Sequence, residues 1–184
     1  MLYTTVVTDE EELLQINEMN RLNLKIVLSP QEQQEQGFIT WLYNISLLKE
    51  MHELAPSIIV KDEKQIVGYA LVTPKESSSF HPDLKGMIDN LEIVNYKNNP
   101  LSTYSFYLMG QVCIHKDFRG KGIFDMLFQK HKELYSNTYD MLVTEISTKN
   151  LRSQKAHEKV GFKTIHTYKD ELDEWNVVVW DWRK

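Results

Sequence analysis

The chain has 184 residues, 42% of them hydrophobic and 26% charged, with a formal net charge of −5. That is room for one domain with a substantial core and too little for two, so residues 1–184 are read as a single unit. The acidic balance argues against a nucleic-acid binder, the lone Cys113 excludes a disulfide framework or a cysteine zinc site, and no apolar run approaches the length of a membrane span.

The first residues lack a basic segment followed by an apolar core, so no signal peptide is expected and the cytoplasm is the expected compartment. Leu2–Val7 reads as a strand. Thr8 and Glu11 have capping-box spacing for a helix running to about Arg21. Ser29-Pro30-Gln31-Glu32 starts a second helix, which Gly37 breaks. Trp41, Ile45, Leu48 and His52 then follow a helical period up to Pro56. Ser57–Lys61 and Ile66–Thr73 are strands across a tight polar turn. Glu76–Pro100, rich in serine, proline and asparagine, reads as a long loop with a short helix near Lys85–Leu91.

The second half carries more signal. Tyr104–Ile114 is a long strand in which Gly110 marks a bulge or a splayed point. Ile123–Tyr135 is amphipathic, and Asp140–Ile146 is a strand. Asn150 or a near neighbour caps a helix that ends at Val160, and Gly161 suits its C-terminal stop. Phe162–Tyr168 and Trp175–Trp182 are strands joined by the acidic link Lys169–Glu174.

Residues 111–124 read QVCIHKDFRGKGIF, an apolar strand running through a polar turn into a helix. Glycines at such a corner let the backbone approach a ligand and aim several N–H groups at one point. The helix start and the cations Arg119 and Lys121 add positive charge, which makes a phosphate or pyrophosphate cradle. The corner does not fit a Walker loop, since Gly122 is followed by Ile123. It does not fit a Rossmann fingerprint either, since Asp125 sits where a third glycine is needed. The six histidines show no metal spacing.

A second segment, Asn150 to Phe162 (NLRSQKAHEKVGF), follows the next strand. Together the two segments resemble the GNAT superfamily of acetyl-CoA-dependent N-acetyltransferases. Arg119 and Gly122 match the family's Arg/Gln-x-x-Gly-x-Gly/Ala pattern, and Phe124 stands where the family has Gly or Ala. Asn150, Glu158, Lys159, Gly161 and Phe162 match the second run, with His157 where the family often has Tyr. The likeness is specific from about Tyr104 to Tyr168 and weaker over the rest of the chain.

The resemblance implies an α+β fold: a mostly antiparallel seven-stranded mixed sheet with a central splayed parallel strand pair, flanked by helices. It implies acetyl-CoA as co-substrate, with its pantetheine arm on the backbone of Val112, Cys113 and Ile114. The pyrophosphate then sits on Arg119, Gly120, Lys121, Gly122, Ile123 and Phe124, and Asn150 contacts the arm. His157 takes the place of a general acid, because imidazole donates a proton near neutral pH. Glu145, on the second parallel strand, is the candidate for relaying a proton from the amine, while Gln111 stands where some relatives place a carboxylate. Tyr104 and Tyr107 are weaker candidates. Cys113 reads as a small buried hydrophobe rather than a nucleophile.

Trp41 and Tyr43 read first as core residues and second as acceptor-site lining. The acidic link is a candidate attractor for an ammonium group. The expected activity is acetyl transfer from acetyl-CoA to a primary amine of a small molecule or peptide, with no metal, nucleic acid or membrane involved. A second copy of the chain is left open as a partner. The alternative is a non-catalytic acyl-CoA-binding or sensor module on the same scaffold.

Overall fold

The computed structural model describes residues 1–183. β1 (Leu2–Val6) leads to α1 (Glu10–Leu22), whose cap is Asp9, accepting from the Glu12 N–H at 3.0 Å, one residue later than the sequence spacing predicts. The Glu12 carboxylate reaches back to the Thr8 N–H at 2.7 Å. Both orphan donors are thus satisfied, by a neighbouring pair of residues. α2 (Pro30–Gln36) carries the full Ser29/Glu32 capping box and ends at Gly37.

The segment between Gly37 and α3 (Ile45–Leu54) is not helical as far as Asn44, which caps α3. Side-chain amides explain why. Asn20 accepts from the Tyr43 N–H and donates to the Trp41 carbonyl, Gln111 also donates to that carbonyl, and Asn17 donates to the Tyr43 carbonyl. These bonds satisfy the strap 38–43 without a helical ladder, so its apolar period marks burial rather than helix.

β2 (Ile58–Asp62) and β3 (Gln65–Thr73) follow as expected. The region expected as a long loop is largely ordered. It holds a 3₁₀ turn (Lys75–Ser79), α4 (Pro82–Glu92), a two-stranded hairpin of β4 (Asn95–Tyr96) and β5 (Asn99–Pro100), and a second 3₁₀ turn (Leu101–Thr103). His81 caps α4 through its ring nitrogen, Pro82 occupies the first turn, and Leu84, Ile88 and Leu91 form a buried stripe. Gly86 and the polar residues between dilute that stripe in the sequence, while burial of the three apolar side chains supplies ~1.5–3 kcal/mol each.

β6 (Phe106–Ile114), α5 (Ile123–Tyr135), β7 (Met141–Ser147), α6 (Leu151–Val160), β8 (Lys163–Lys169) and β9 (Glu174–Asp181) complete the chain. The main sheet has seven strands in the order β1-β2-β3-β6-β7-β9-β8, and β6-β7 is its one parallel pair among the described residues. This is the fold expected from the sequence. Ile123, Leu127 and Phe128 of α5 pack on one face of the sheet, against Val60, Val67, Ala70 and Val72. On the other face, Ile16 and Met19 of α1 and Leu47, Leu48 and Met51 of α3 pack against Ile59, Tyr69 and Leu71. The alternation of Ala70/Val72 with Tyr69/Leu71 shows why β3 reads as one continuous apolar run: both of its faces are covered.

Candidate active site

The site begins where the sheet opens. β6 and β7 pair at Phe106↔Met141, Tyr107↔Leu142 and Leu108↔Val143, and the pairing stops there. The Thr144 hydroxyl donates to the Met109 carbonyl at 2.8 Å, and beyond that point the strands part. On the other edge of β6 the register against β3 shifts between Ala70 and Val72, opposite Gly110 and Gln111. A Cβ on Gly110 would lie 2.5 Å from the Thr73 hydroxyl and 2.7 Å from the Tyr43 hydroxyl, so no larger residue fits the bulge. The bulge bends β6 away and leaves the backbone of 110–114 without a β7 ladder.

Two cavities meet at this opening and share Phe38, Ile39, Val112, Asn150 and Ser153 as walls. The first, about 630 Å³, lies over the β6–α5 corner. Gly120 and Gly122 both have φ +77, and a Cβ on either would meet nothing within 4 Å. Their backbone therefore faces open space in a conformation that L side chains resist. Gly122 is also the cap residue of α5, so the free N–H groups of that helix start border the cleft.

The cations are arranged differently from the sequence expectation. Arg119 is half-buried and held by three hydrogen bonds: it donates to the Ile114 carbonyl at 3.1 Å, to Gln36 and to Asn23. It locks the corner onto the α1–α2 connection. Lys121 lies over the Phe118 ring, 4.5 Å from its centroid, and is not part of the cleft wall. The cleft's other cations are Arg152, Lys155 and Lys159 on α6. Their i, i+3, i+7 spacing places them on one helical face, a signal the sequence reading passed over. Phe124 does not fill the cleft. Its ring packs on Phe128 (4.5 Å between centroids) and His157 (5.0 Å).

Asn150 caps α6 by accepting from the Ser153 N–H at 3.2 Å, and it donates to the Phe38 carbonyl at 3.0 Å. It ties the strap to α6 between the two cavities. Cys113 is buried, which pushes its thiol up to about 12, so no thiolate forms near neutral pH.

The second cavity, about 400 Å³, is enclosed by the strap, α4, the splayed strands and the β8–β9 hairpin. Glu145 of β7 stands in its wall. Burial pushes its carboxyl up to about 7, with nearby Asp170 adding to the rise, against a 2.7 Å hydrogen bond donated by the Tyr168 hydroxyl. The group titrates where a general base is useful. Tyr43 and Trp41 line the same cavity, and the Tyr43 hydroxyl donates to the Gly110 carbonyl at 3.3 Å. Gln111 is committed to structure: it accepts from Tyr69 and Asn20 and holds the strap through the Trp41 carbonyl.

His157 borders this cavity but is 1% exposed, wedged among Phe124, Phe128 and Phe162. Burial pulls its pKa down to about 4, so the ring is neutral at pH 7. Its Nδ1 lies 2.8 Å from the Ser153 carbonyl, which can only accept, so the proton sits on Nδ1 and Nε2 is a bare lone pair without a protein partner. The expected role as an imidazolium acid meets this obstacle: the proton that the ring carries is already committed. Tyr104 and Tyr107 are elsewhere. The Tyr104 hydroxyl donates to the Tyr96 carbonyl, and Tyr107 is buried beside His131.

The acidic link is also corrected in part. Asp173 is buried, and although burial alone would raise its carboxyl, Lys149 at 2.6 Å, the Glu174 N–H, the Ser147 hydroxyl and Lys25 hold it well below the usual range. It is a structural tie, already neutralised. Asp170 accepts the N–H groups of Leu172 and Asp173 within the turn and lines the cavity. Among the described residues no group of His, Cys, Asp or Glu side chains is placed to hold a metal, and no helix is long and apolar enough to cross a membrane.

A central splay with a glycine-rich helix start at its mouth is the arrangement that the sequence resemblance implies for an acyl-CoA-handling α+β transferase. The profile of the Acetyltransferase (GNAT) family matches residues 16–162, most of the chain, and the protein belongs to that family. The family's chemistry is acetyl-CoA-dependent acetyl transfer to nitrogen.

Solved structures share the fold. The ribosomal-protein-S18-alanine N-acetyltransferase of Escherichia coli superposes with TM-score 0.65 at 8% identity, over 98% of this chain and 94% of that one. The Salmonella typhimurium protein yncA, solved with its cofactor acetyl-CoA, gives 0.64 at 12% identity over 100% and 95%. An N-acetyltransferase of Staphylococcus aureus Mu50 gives 0.62 at 18% identity over 100% and 99%. No curated protein sequence matches the chain.

Proposed function

We propose that the protein transfers the acetyl group of acetyl-CoA to a primary amine by direct attack in a ternary complex, with Glu145 as the general base. One observation carries this reading. The β7-facing edge of 110–114, which has no ladder partner, lies between a basic cleft of about 630 Å³ and a second cavity holding a carboxyl tuned to about 7. The residues fit acetyl-CoA. Gly120, Gly122 and the start of α5 offer backbone N–H groups to a pyrophosphate, and Arg152, Lys155 and Lys159 offer charge to phosphates. Val112, Cys113 and Ile114 offer an unpaired strand edge to the amide-bearing arm. Lys121 and Phe124 shape the corner from outside the cleft and from its floor, and Asn150 holds the wall between the cavities. The co-substrate supplies an acetyl group activated as a thioester.

The chain's part is positioning and proton transfer. An alkylamine with pKa near 10 is almost wholly protonated at pH 7 and cannot attack until a base takes its proton. Glu145 takes that proton, and Tyr168 orients its carboxylate. Backbone N–H groups of the splay stabilise negative charge developing on a carbonyl oxygen. His157 acts as a positioning residue: as a neutral wedge between α5 and α6 it fixes the floor of the splay, and the sulfur departs as a thiolate.

The test is thiol release from acetyl-CoA with a panel of primary amines, for the protein and for Glu145→Gln. The base must be ionised to act, so kcat/KM is expected to rise with pH through about 7. The substitution should lower kcat by about 10²–10³ and remove that limb, with acetyl-CoA affinity unchanged. The folded pKa of Glu145 lies above its unfolded value, so its stabilising contribution is lost as pH rises through about 7. Glu145→Gln should therefore melt no lower than the parent at pH 8, which separates lost chemistry from lost folding. Acetyl-CoA binding with no thiol release for any amine would leave an acyl-CoA-binding module instead.

A further inference from the structure

The charges around the two cavities are segregated. The cofactor cleft is walled by Arg119, Arg152, Lys155 and Lys159. The second cavity has three carboxylates in its wall, Asp83, Glu145 and Asp170, and neither Lys nor Arg. Beside the hairpin, Lys149 and Lys25 are both paired with the buried Asp173. The Glu145 carboxylate in this wall offers an acceptor to a ligand, and no charged donor lines the cavity beside it.

Trp41, Leu84, Met87, Leu172 and Trp175 add apolar surface to a wall that also carries Thr40, Asn90, Gln111 and Thr144. The Trp41 ring meets His81 edge-on at 5.2 Å between centroids, so the strap and the start of α4 touch across one side of the cavity. At about 400 Å³ the cavity has room for a small body.

Resting on the acetyltransferase reading of this site, we propose that the acceptor is a small monocationic amine with an apolar, aromatic-sized body and no carboxylate or phosphate. The ammonium is drawn to Glu145, and the body packs between Trp41, Leu84, Met87 and Leu172. An acceptor carrying its own carboxylate places a third negative charge beside Glu145 and Asp170 with no cation to receive it, and the cavity rejects it by repulsion and lost hydration. A second ammonium on a diamine is desolvated against the apolar surface unless the chain turns toward Asp170 or Asp83, which forfeits contact with that surface. Acetyl transfer forms the amide N–C bond, breaks the C–S bond, and leaves one proton of the original ammonium on Glu145, from which it passes to solvent or to the departing thiolate; a second ammonium proton is released on neutralisation of the product.

The experiment uses matched acceptors: phenethylamine, phenylalanine, 1,5-diaminopentane, and a short neutral peptide with a free N-terminus. Thiol release is measured for each, and calorimetric binding to the CoA-loaded protein is measured in parallel. The expected kcat/KM for phenethylamine is at least 100-fold above that for phenylalanine and at least ten-fold above those for the diamine and the peptide. Met87→Lys, which adds a cation to the part-exposed wall, should narrow the phenethylamine-to-phenylalanine ratio at least ten-fold. Equal or better turnover of phenylalanine, the diamine or the peptide overturns the proposed acceptor class while leaving acetyl transfer intact. If no acceptor releases thiol although acetyl-CoA binds, the transferase reading fails. Calorimetry then decides the cavity's preference: phenethylamine binding ten-fold tighter than phenylalanine upholds it, and equal binding overturns it.

Discussion

The cleft proposed for the co-substrate and the cavity proposed for the acceptor share a wall at Val112, Asn150 and Ser153, yet they are built by different means. The cleft is made chiefly by backbone: the unladdered edge of β6, two left-handed glycines and a helix start, with long cations on one face of α6 around them. The cavity is made by side chains from distant parts of the chain: Trp41 of the strap, Met87 of α4, Glu145 of β7, Tyr168 and Leu172 of the hairpin. Backbone recognition suits a ligand whose pantetheine and phosphates do not vary, because amide groups read shape and charge with few side chains. Side-chain recognition suits a partner that differs from one enzyme to the next, because each wall residue can change without disturbing the sheet. The difference makes the two regions separable by mutation.

The largest separating effect is expected at Gly122. Gly122→Glu puts a β-carbon at φ +77, at a cost of ~1–2 kcal/mol, and a carboxylate at the helix start. Acetyl-CoA affinity measured by calorimetry should fall about 100-fold, or about 2.7 kcal/mol, while CoA-independent amine binding stays within two-fold. An unchanged affinity in a folded variant would remove the corner from the site. A smaller effect is expected from the paired change Lys155→Ala with Lys159→Ala. Exposed cations each contribute about 0.2–1 kcal/mol, so acetyl-CoA affinity should fall roughly two- to thirty-fold with a shallower salt dependence. The acceptor KM should not move, and an acceptor effect equal to the cofactor effect would show that the cavities are not electrically separate.

The smallest effect is expected at the shared floor. His157→Asn keeps a donor for the Ser153 carbonyl and removes the ring. Because the ring is neutral at pH 7 and its proton is committed, kcat should change by less than about three-fold, with the loss appearing in melting temperature instead. A 100-fold fall in kcat at unchanged melting temperature would restore His157 as the acid.

Residue order alone was enough for much of this protein. The capping box at Ser29, the glycine-rich strand-to-helix corner at 119–122 and the Asn150–Phe162 helix are local signals, set by backbone conformation and hydrogen bonding within a few residues. They gave the seven-stranded fold and the family, and strand limits fell within about two residues of the observed ones. Tertiary structure decided the rest, because those features depend on partners far away in sequence. The Trp41 strap is extended since Asn17, Asn20 and Gln111 satisfy its backbone. Arg119 is a clamp since Gln36 and Asn23 lie opposite it, and Asp173 is spent since Lys25 and Lys149 reach it. The raised pKa of Glu145 and the neutrality of His157 likewise follow from desolvation, which no stretch of sequence displays: burial arises only when strands and helices from the whole chain close over a side chain.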